Sequence, residues 1–300
     1  MTHNHEHGTT DFHRAFAIGV ALNTGFVAVE VVFGLIAHSL ALISDAGHNL
    51  SDVLGLLLAW GASVLAKRRR SARRTYGLRR SSILASLANA VILLLVTGGV
   101  AWEAILRFGD STDVSGKIVI WVAAAGVGVN GLTALLFFSG RKGDLNIRGA
   151  FMHMAADAGL ALGVVLTGIV ILATGWHWLD PAASLVISGV ILIGTWGLLR
   201  DSVNLALDAV PEGGDIDALT SFLSGLSGVV GVHDLHVWGM STTETALTVH
   251  LVVPHRPPGD EFIERVQGEL HDRFDIEHTT LQIEDADAEH PCEFDSGETI

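Results

Sequence analysis

The sequence holds a single cysteine, Cys292, in 300 residues. An intrachain disulfide and any cysteine-rich zinc motif are therefore excluded. It also lacks HExxH, the helical histidine pair whose glutamate is the typical base of a zinc-dependent hydrolase, and no enzyme activity is expected. Positive charge is scarce beyond residue 210, where Arg256, Arg265 and Arg273 stand against nineteen acidic residues. Such a surface repels phosphate, which excludes nucleic acid as a partner, and it suits the concentration of cations. The opening residues MTHNHEHGTTDFHR are polar and have no apolar core ahead of a cleavage site, so they are not read as a secretory signal. The first apolar stretch is expected to act as its own uncleaved signal.

What the chain does have is long apolar runs. Hydrophobic residues make up 49% of it and its mean hydropathy is +0.46. Six stretches, near residues 14–38, 43–66, 82–107, 116–139, 149–175 and 179–205, each reach the ~20 residues a helix needs to cross the hydrocarbon core. Segments such as AVILLLVTGGVA and LVISGVILIGTWGLL have no polar face, which excludes a soluble helical bundle. The lipid bilayer is thus one partner. Eight basic residues between Lys67 and Arg80 fall between the second and third stretches, and Arg141, Lys142 and Arg148 between the fourth and fifth. By the positive-inside rule these loops and both termini are cytoplasmic. The expected location is a cell membrane, inner or plasma, crossed several times.

Within these apolar segments a histidine precedes an aspartate by four residues twice: His48 with Asp52, and His153 with Asp157. On a helix such residues share a face, so each segment offers an imidazole and a carboxylate in one direction. Two such helices facing each other make a four-ligand cage. An ionisable group at membrane depth is costly unless it meets a partner, an ion or water, so the pairs point to a metal within the membrane. Asp45 shares their face and is read as a hydrogen-bond acceptor beside the ligands. Glu30 either relays protons or is a protonated acid bonded to a neighbouring helix. Asn23, Asn89 and Asn130 are read as interhelical hydrogen-bonding groups.

After Pro211 the pattern changes. DIDALTSFLSGL reads as a helix, VVGVHDLHVWGM and TETALTVHLVV as paired strands, DEFIERVQGELHDRF as a helix and HTTLQIE as a third strand. The two-residue strand period puts His236 and Trp238 on the face opposite His233, where they are expected to support the fold.

Four segments, SLALISDAGHNLSD, TYGLRRSSILASLANA, GDLNIRGAFMHMAADAG and VHDLHVWGM, occur in an order that resembles the cation diffusion facilitator family of metal–proton antiporters, in particular its zinc-type branch. The resemblance covers nearly the whole chain. It implies a polytopic α-helical membrane protein with six transmembrane helices and a small cytoplasmic α+β domain of ferredoxin or metallochaperone type, in the order α-β-β-α-β. It also implies a homodimer, and export of divalent metal against protons. The family's transport ligands fall on His48, Asp52, His153 and Asp157. A cytoplasmic metal site falls on His233, His250 and Glu284, with His278 and Cys292 as weaker supplements. Ser82 departs from the pattern, since members commonly carry a glutamate there. The loop between the fourth and fifth stretches has no histidine, and His3, His5 and His7 are read as a displaced equivalent of the family's histidine-rich loop.

Four regions are expected: a histidine-containing cytoplasmic tail over 1–13, a transport domain over 14–208, a regulatory and dimerisation domain over 209–287, and an acidic flexible tail over 288–300. Two imidazole nitrogens and two carboxylate oxygens suit tetrahedral zinc rather than six-oxygen magnesium or manganese. Zinc, Zn2+, is the expected cargo, protons the counter-ion and metal resistance the expected consequence. The rivals are an exporter of cobalt, cadmium or iron, or a metal sensor that does not transport.

Overall fold

The computed structural model describes residues 9–66, 71–108, 113–138, 145–254 and 259–286. Six long helices come first: α1 (Thr9–Ala37), α2 (Leu40–Ala66), α3 (Ser81–Arg107), α4 (Gly116–Phe137), α5 (Leu145–Thr174) and α6 (Leu179–Ala206). A small domain follows, with α7 (Ile216–Ser224), β1 (Gly231–Gly239), β2 (Thr245–Val253), α8 (Asp260–Phe274) and β3 (His278–Asp285). Stretches within α1, α3, α4, α5 and α6 are long and apolar enough to cross a membrane. α2, with 27 residues, is long enough for a sixth crossing. The expected architecture, six spanning helices and an α-β-β-α-β domain, is the one observed.

The chain folds as two units. The first takes in residues 1–57 and 88–197. Its core joins Ala41 and Leu42 of α2 to Val119 and Ala123 of α4, Val164 and Ile171 of α5, and Ile187 and Ile191 of α6. Small residues let α4 and α5 approach closely: a Cβ added to Gly116 would lie 2.9 Å from the Gly168 carbonyl oxygen, the close backbone contact on which membrane helices rely in place of a hydrophobic drive. The α1–α2 corner is made by His38, which takes the left-handed conformation (φ 52°), while Ser39 N–H reaches back to the Gly34 carbonyl at 3.0 Å. That bond is the six-to-one link of a helix-ending Schellman turn.

The second unit takes in residues 58–87 and 198–300. Its sheet has the order β1-β2-β3, antiparallel between β1 and β2 and parallel between β2 and β3, the parallel step being crossed by α8. Leu247, Val249 and Leu251 of β2 face Leu219 and Leu223 of α7 and Val266 and Leu270 of α8. Alternation then places His250 on the other face, away from the helices. Asp215 caps α7 by accepting from Ala218 N–H at 2.9 Å. The segment before α3 lies against this domain: Arg79 pairs with Glu244 at 2.9 Å, Arg80 with Asp208, and the ring of Tyr76 meets His278 edge-on. Ser82 Oγ, at the position where a glutamate was the expectation, accepts from Thr242 N–H at 3.1 Å.

Candidate metal centre

The α2 and α5 pairs meet. His48 Nε2 stands 3.1 Å from Asp157 Oδ1 and 3.8 Å from Asp52 Oδ2, while His153 Nε2 stands 3.3 Å from Asp52 Oδ2 and 3.7 Å from Asp157 Oδ2. Each imidazole therefore touches the carboxylate of its own helix and that of the other. One ligand atom each of His48, Asp52 and Asp157 lie within 4.8 Å of one another, as ligands of a single ion must, and His153 stands at the exposed edge of that group. The site is graded in exposure: the Asp157 side chain is 3% exposed, His48 16%, Asp52 26% and His153 45%. Asp157 Oδ2 is buried and accepts no hydrogen bond from the described residues. A buried acceptor left that way costs about 1–3 kcal/mol, and a cation between the four groups removes the cost. Two ionised carboxylates also match a dication in charge, which suits a medium that penalises net charge.

The polar residues around the cage were only partly foreseen. Asn23 Nδ2 reaches Met154 Sδ on α5 at 3.8 Å, in keeping with an interhelical role. Asn49 Nδ2 donates to Glu30 Oε2 at 2.9 Å. Asp180, at the start of α6 and fully buried, was not singled out. Its carboxylate accepts from Ser39 Oγ and from the backbone N–H groups of Leu40 (2.6 Å) and Ala41 (3.4 Å). It thus satisfies the orphan donors of the first turn of α2 from another helix. Ser44 and Ser188 make a second α2–α6 contact at 3.2 Å.

In the small domain, His233, His250 and Glu284 also come together. Glu284 bridges the two imidazoles, with Oε2 at 3.0 Å from His233 Nε2 and Oε1 at 2.8 Å from His250 Nδ1. Burial alone would raise the Glu284 pKa, but hydrogen bonds from His233 and Gln282 and the neighbouring imidazoles outweigh it and hold the carboxyl below its usual range. Asp234 was missed as a fourth member, and its Oδ2 lies 3.4 Å from His250 Nε2. The cause is a bulge. His233 pairs with His250 and His236 with Thr248, so β1 carries one extra residue between them, and Asp234 takes a left-handed backbone (φ 50°). The bulge also corrects the expected facing of His236 and Trp238. Both lie on the same side of the sheet as His233, opposite Thr248 and Ala246, because the extra residue cancels the alternation. The one signal available was an aspartate in mid-strand, a residue poor in strands and tolerant of left-handed backbone.

His278 begins β3 against Tyr76 and does not join the cluster. His3, His5, His7 and Cys292 lie outside the described residues.

Comparison with known proteins places both domains in one family. Residues 16–205 match the cation efflux transmembrane domain, and residues 211–286 match the cation efflux protein cytoplasmic domain. A cadmium, cobalt and zinc/H(+)-K(+) antiporter of Bacillus velezensis is 33% identical, the alignment covering 97% of this chain and 94% of the relative. The metal cation efflux system protein CzcD of Cupriavidus metallidurans is 36% identical over 97% and 91% of the two chains. Zinc transporter ZitB of Escherichia coli is 34% identical over 95% and 93%. Both domain matches and relatives aligned over nearly their whole length lead to one conclusion: the chain belongs to the cation efflux family, the cation diffusion facilitators, and is a multi-pass membrane transporter.

Proposed function

We propose that this protein exports zinc from the cytoplasm in exchange for protons, and that His48, Asp52, His153 and Asp157 are the transport site. The observation that carries the reading is the convergence of two imidazoles and two carboxylates, from α2 and α5, at separations of 3.1–3.8 Å. Zinc is favoured by a donor set of two nitrogens and two oxygens. Metal ligands must be deprotonated to bind, so protons and zinc compete for the same groups. If the site opens to one side at a time, competition becomes exchange.

The loops rich in arginine and lysine favour cytoplasmic termini in a cell membrane. The second cluster, His233, His250 and Glu284 with Asp234 beside it, then binds cytoplasmic metal and adjusts transport. The sheet face that carries it is not covered by α7 or α8 and is the surface we assign to a homodimer. A broader cargo of cadmium and cobalt is the second reading, favoured by the name of the Bacillus velezensis relative.

The test is reconstitution in liposomes with a lumenal zinc indicator, with and without a pH gradient, for the wild type and Asp157→Ala. Flux that the pH gradient accelerates and that requires the aspartate supports the reading. Binding without flux identifies a sensor, and flux indifferent to the gradient identifies a facilitated carrier.

A further inference from the structure

The α1–α2 corner, the α3–α4 connection and the α5–α6 connection are joined at one end of the helix bundle by residues 113–115. Ser115 N–H donates to the Ala37 carbonyl at 3.2 Å, and Val114 N–H donates to His177 Nδ1 at 3.1 Å. Next to these two bonds the Val114 side chain is buried in the core that also holds Ala37 and Ile171. His177 is itself fixed in the chain: its N–H donates to the Gly175 carbonyl at 3.0 Å, and its own carbonyl accepts from Asp180 N–H at 3.2 Å. The carboxylate of Asp180 in turn accepts from the first turn of α2, the helix that carries His48 and Asp52.

The bond from Val114 fixes the tautomer of the imidazole. A backbone N–H can only donate, so Nδ1 presents a bare lone pair and the ring proton sits on Nε2, which faces Asp113 Oδ1 at 3.5 Å. An imidazolium carries N–H on both nitrogens and has no acceptor left. Histidine is the side chain whose ordinary titration falls between pH 5 and 8, and the His177 side chain is 33% exposed, so protons from water reach it. Among the described residues, Asp113, itself almost fully exposed, is the charged group at ion-pair distance from the ring. The neighbouring segments carry Lys117, exposed in the first turn of α4, Glu103 and Arg107, paired with each other near the end of α3, and His38, exposed at the α1–α2 corner, whose carbonyl accepts from Arg107 Nη1 at 2.7 Å. Asp180 at the head of α6 is engaged with α2.

We propose that His177 is an acid-sensitive clasp: the neutral imidazole holds the α3–α4 connection against the α5–α6 connection, and a proton taken up at Nδ1 releases it. The proton comes from water and bonds to the Nδ1 lone pair. The bond from Val114 N–H is lost, because two N–H groups then face each other, while Nε2 keeps its proton towards Asp113. Release frees the segment bonded to the α1–α2 corner from the turn that leads into Asp180 and α6. In the orientation proposed above, on which the sidedness of the inference rests, this end of the bundle faces away from the cytoplasm. The clasp then reads the acidity of the compartment that receives the metal, and acid there loosens the end of the bundle at which metal leaves.

Hydrogen–deuterium exchange tests the clasp independently of the cage. The full-length protein in lipid nanodiscs is labelled across the interval in which histidine titrates, with labelling times scaled to the intrinsic exchange rate at each pH. His177→Asn places an amide oxygen where Nδ1 stands, an acceptor that does not titrate, and Asp113→Asn removes the other titratable group beside the ring at an exposed position. In the wild type and Asp113→Asn, protection of the peptide covering Val114 and Ser115 is expected to fall roughly 3- to 10-fold on acidification, the weight of about one hydrogen bond. In His177→Asn it is expected to stay constant, and His177→Ala, with no acceptor, is expected to show the low value at every pH. An acid response that persists in either His177 variant, is absent from the wild type or is lost in Asp113→Asn overturns the proposal. In oriented proteoliposomes, acid on the side opposite the cytoplasmic domain is expected to raise zinc flux more for the wild type than for His177→Asn, and an equal gain overturns the role in transport. Flux that survives Asp157→Ala would instead refute the cage assignment and leave the exchange result standing.

Discussion

His48 Nε2 of α2 and Asp157 Oδ1 of α5 stand 3.1 Å apart although 109 residues separate them. The contact fixes one side chain of each helix against the other, so the cluster exists only while α2 and α5 keep their registration. Any motion that separates the two helices by an ångström or two dismantles it.

Asp157→Asn keeps the volume and one acceptor of the buried carboxylate but removes its charge. Losing an outer partner of a metal site costs roughly 10–100-fold in affinity or activity, and a ligand matters more. Zinc flux is therefore expected to fall by at least about 100-fold, measured as initial rate in proteoliposomes. Retention of a tenth of the wild-type rate would argue against Asp157 as a ligand.

Asp180 makes a prediction of a different kind. It touches none of the four cage residues, yet it holds the first turn of the helix that carries two of them. Asp180→Ala leaves Ser39 Oγ and Leu40 N–H without their acceptor, at roughly 1–3 kcal/mol for each buried group. The melting temperature of the solubilised protein is expected to drop by several degrees, while Asp180→Asn, which retains an acceptor, recovers part of the loss.

The small-domain cluster should respond to acid in a defined way. The Glu284 carboxyl is held below its usual range. Its stabilising pairing is therefore present above the unfolded value, about 4.3, and is lost only as pH falls through the lower folded value. Between pH 5 and 7 it stays ionised. Glu284→Gln is thus expected to weaken zinc binding at this cluster throughout that interval. Fluorescence competition titrations at several pH values check this, and unchanged affinity at any of them would contradict it.

His233→Ala and Asp234→Ala are expected to lower the zinc affinity of the same cluster while transport through the membrane is only moderated. Flux and binding measured on the same preparations separate the two effects. Abolition of flux by either substitution would mean that the cluster is part of the transport path.

Much of this was legible because helical periodicity is strict. A histidine and an aspartate four residues apart share one helix face, and the meeting of His48 and Asp52 with His153 and Asp157 was legible from that spacing, while their reading as transport ligands drew on the family resemblance as well. The relationships that escaped depend on where separate helices lie. Asp180 caps a helix that precedes it by 140 residues, and Asn49 is spoken for by Glu30 of the helix before it. In the sheet, the error over His236 came from extending a two-residue period through a bulge that one left-handed residue, Asp234, introduces. Ser82 shows the reverse case: its departure from the family's glutamate was plain in the sequence, but its use as an acceptor for Thr242 N–H was not.

The central claim, that zinc and protons exchange at one cage, is tested most directly by recording both ions at once. Proteoliposomes with equal pH inside and out receive an inward zinc gradient, with lumenal zinc and lumenal pH indicators read together. The account predicts that zinc influx alone drives protons outward and raises lumenal pH, and that Asp157→Ala abolishes both signals. Zinc influx with no change in lumenal pH, or proton movement that survives the substitution, would contradict it.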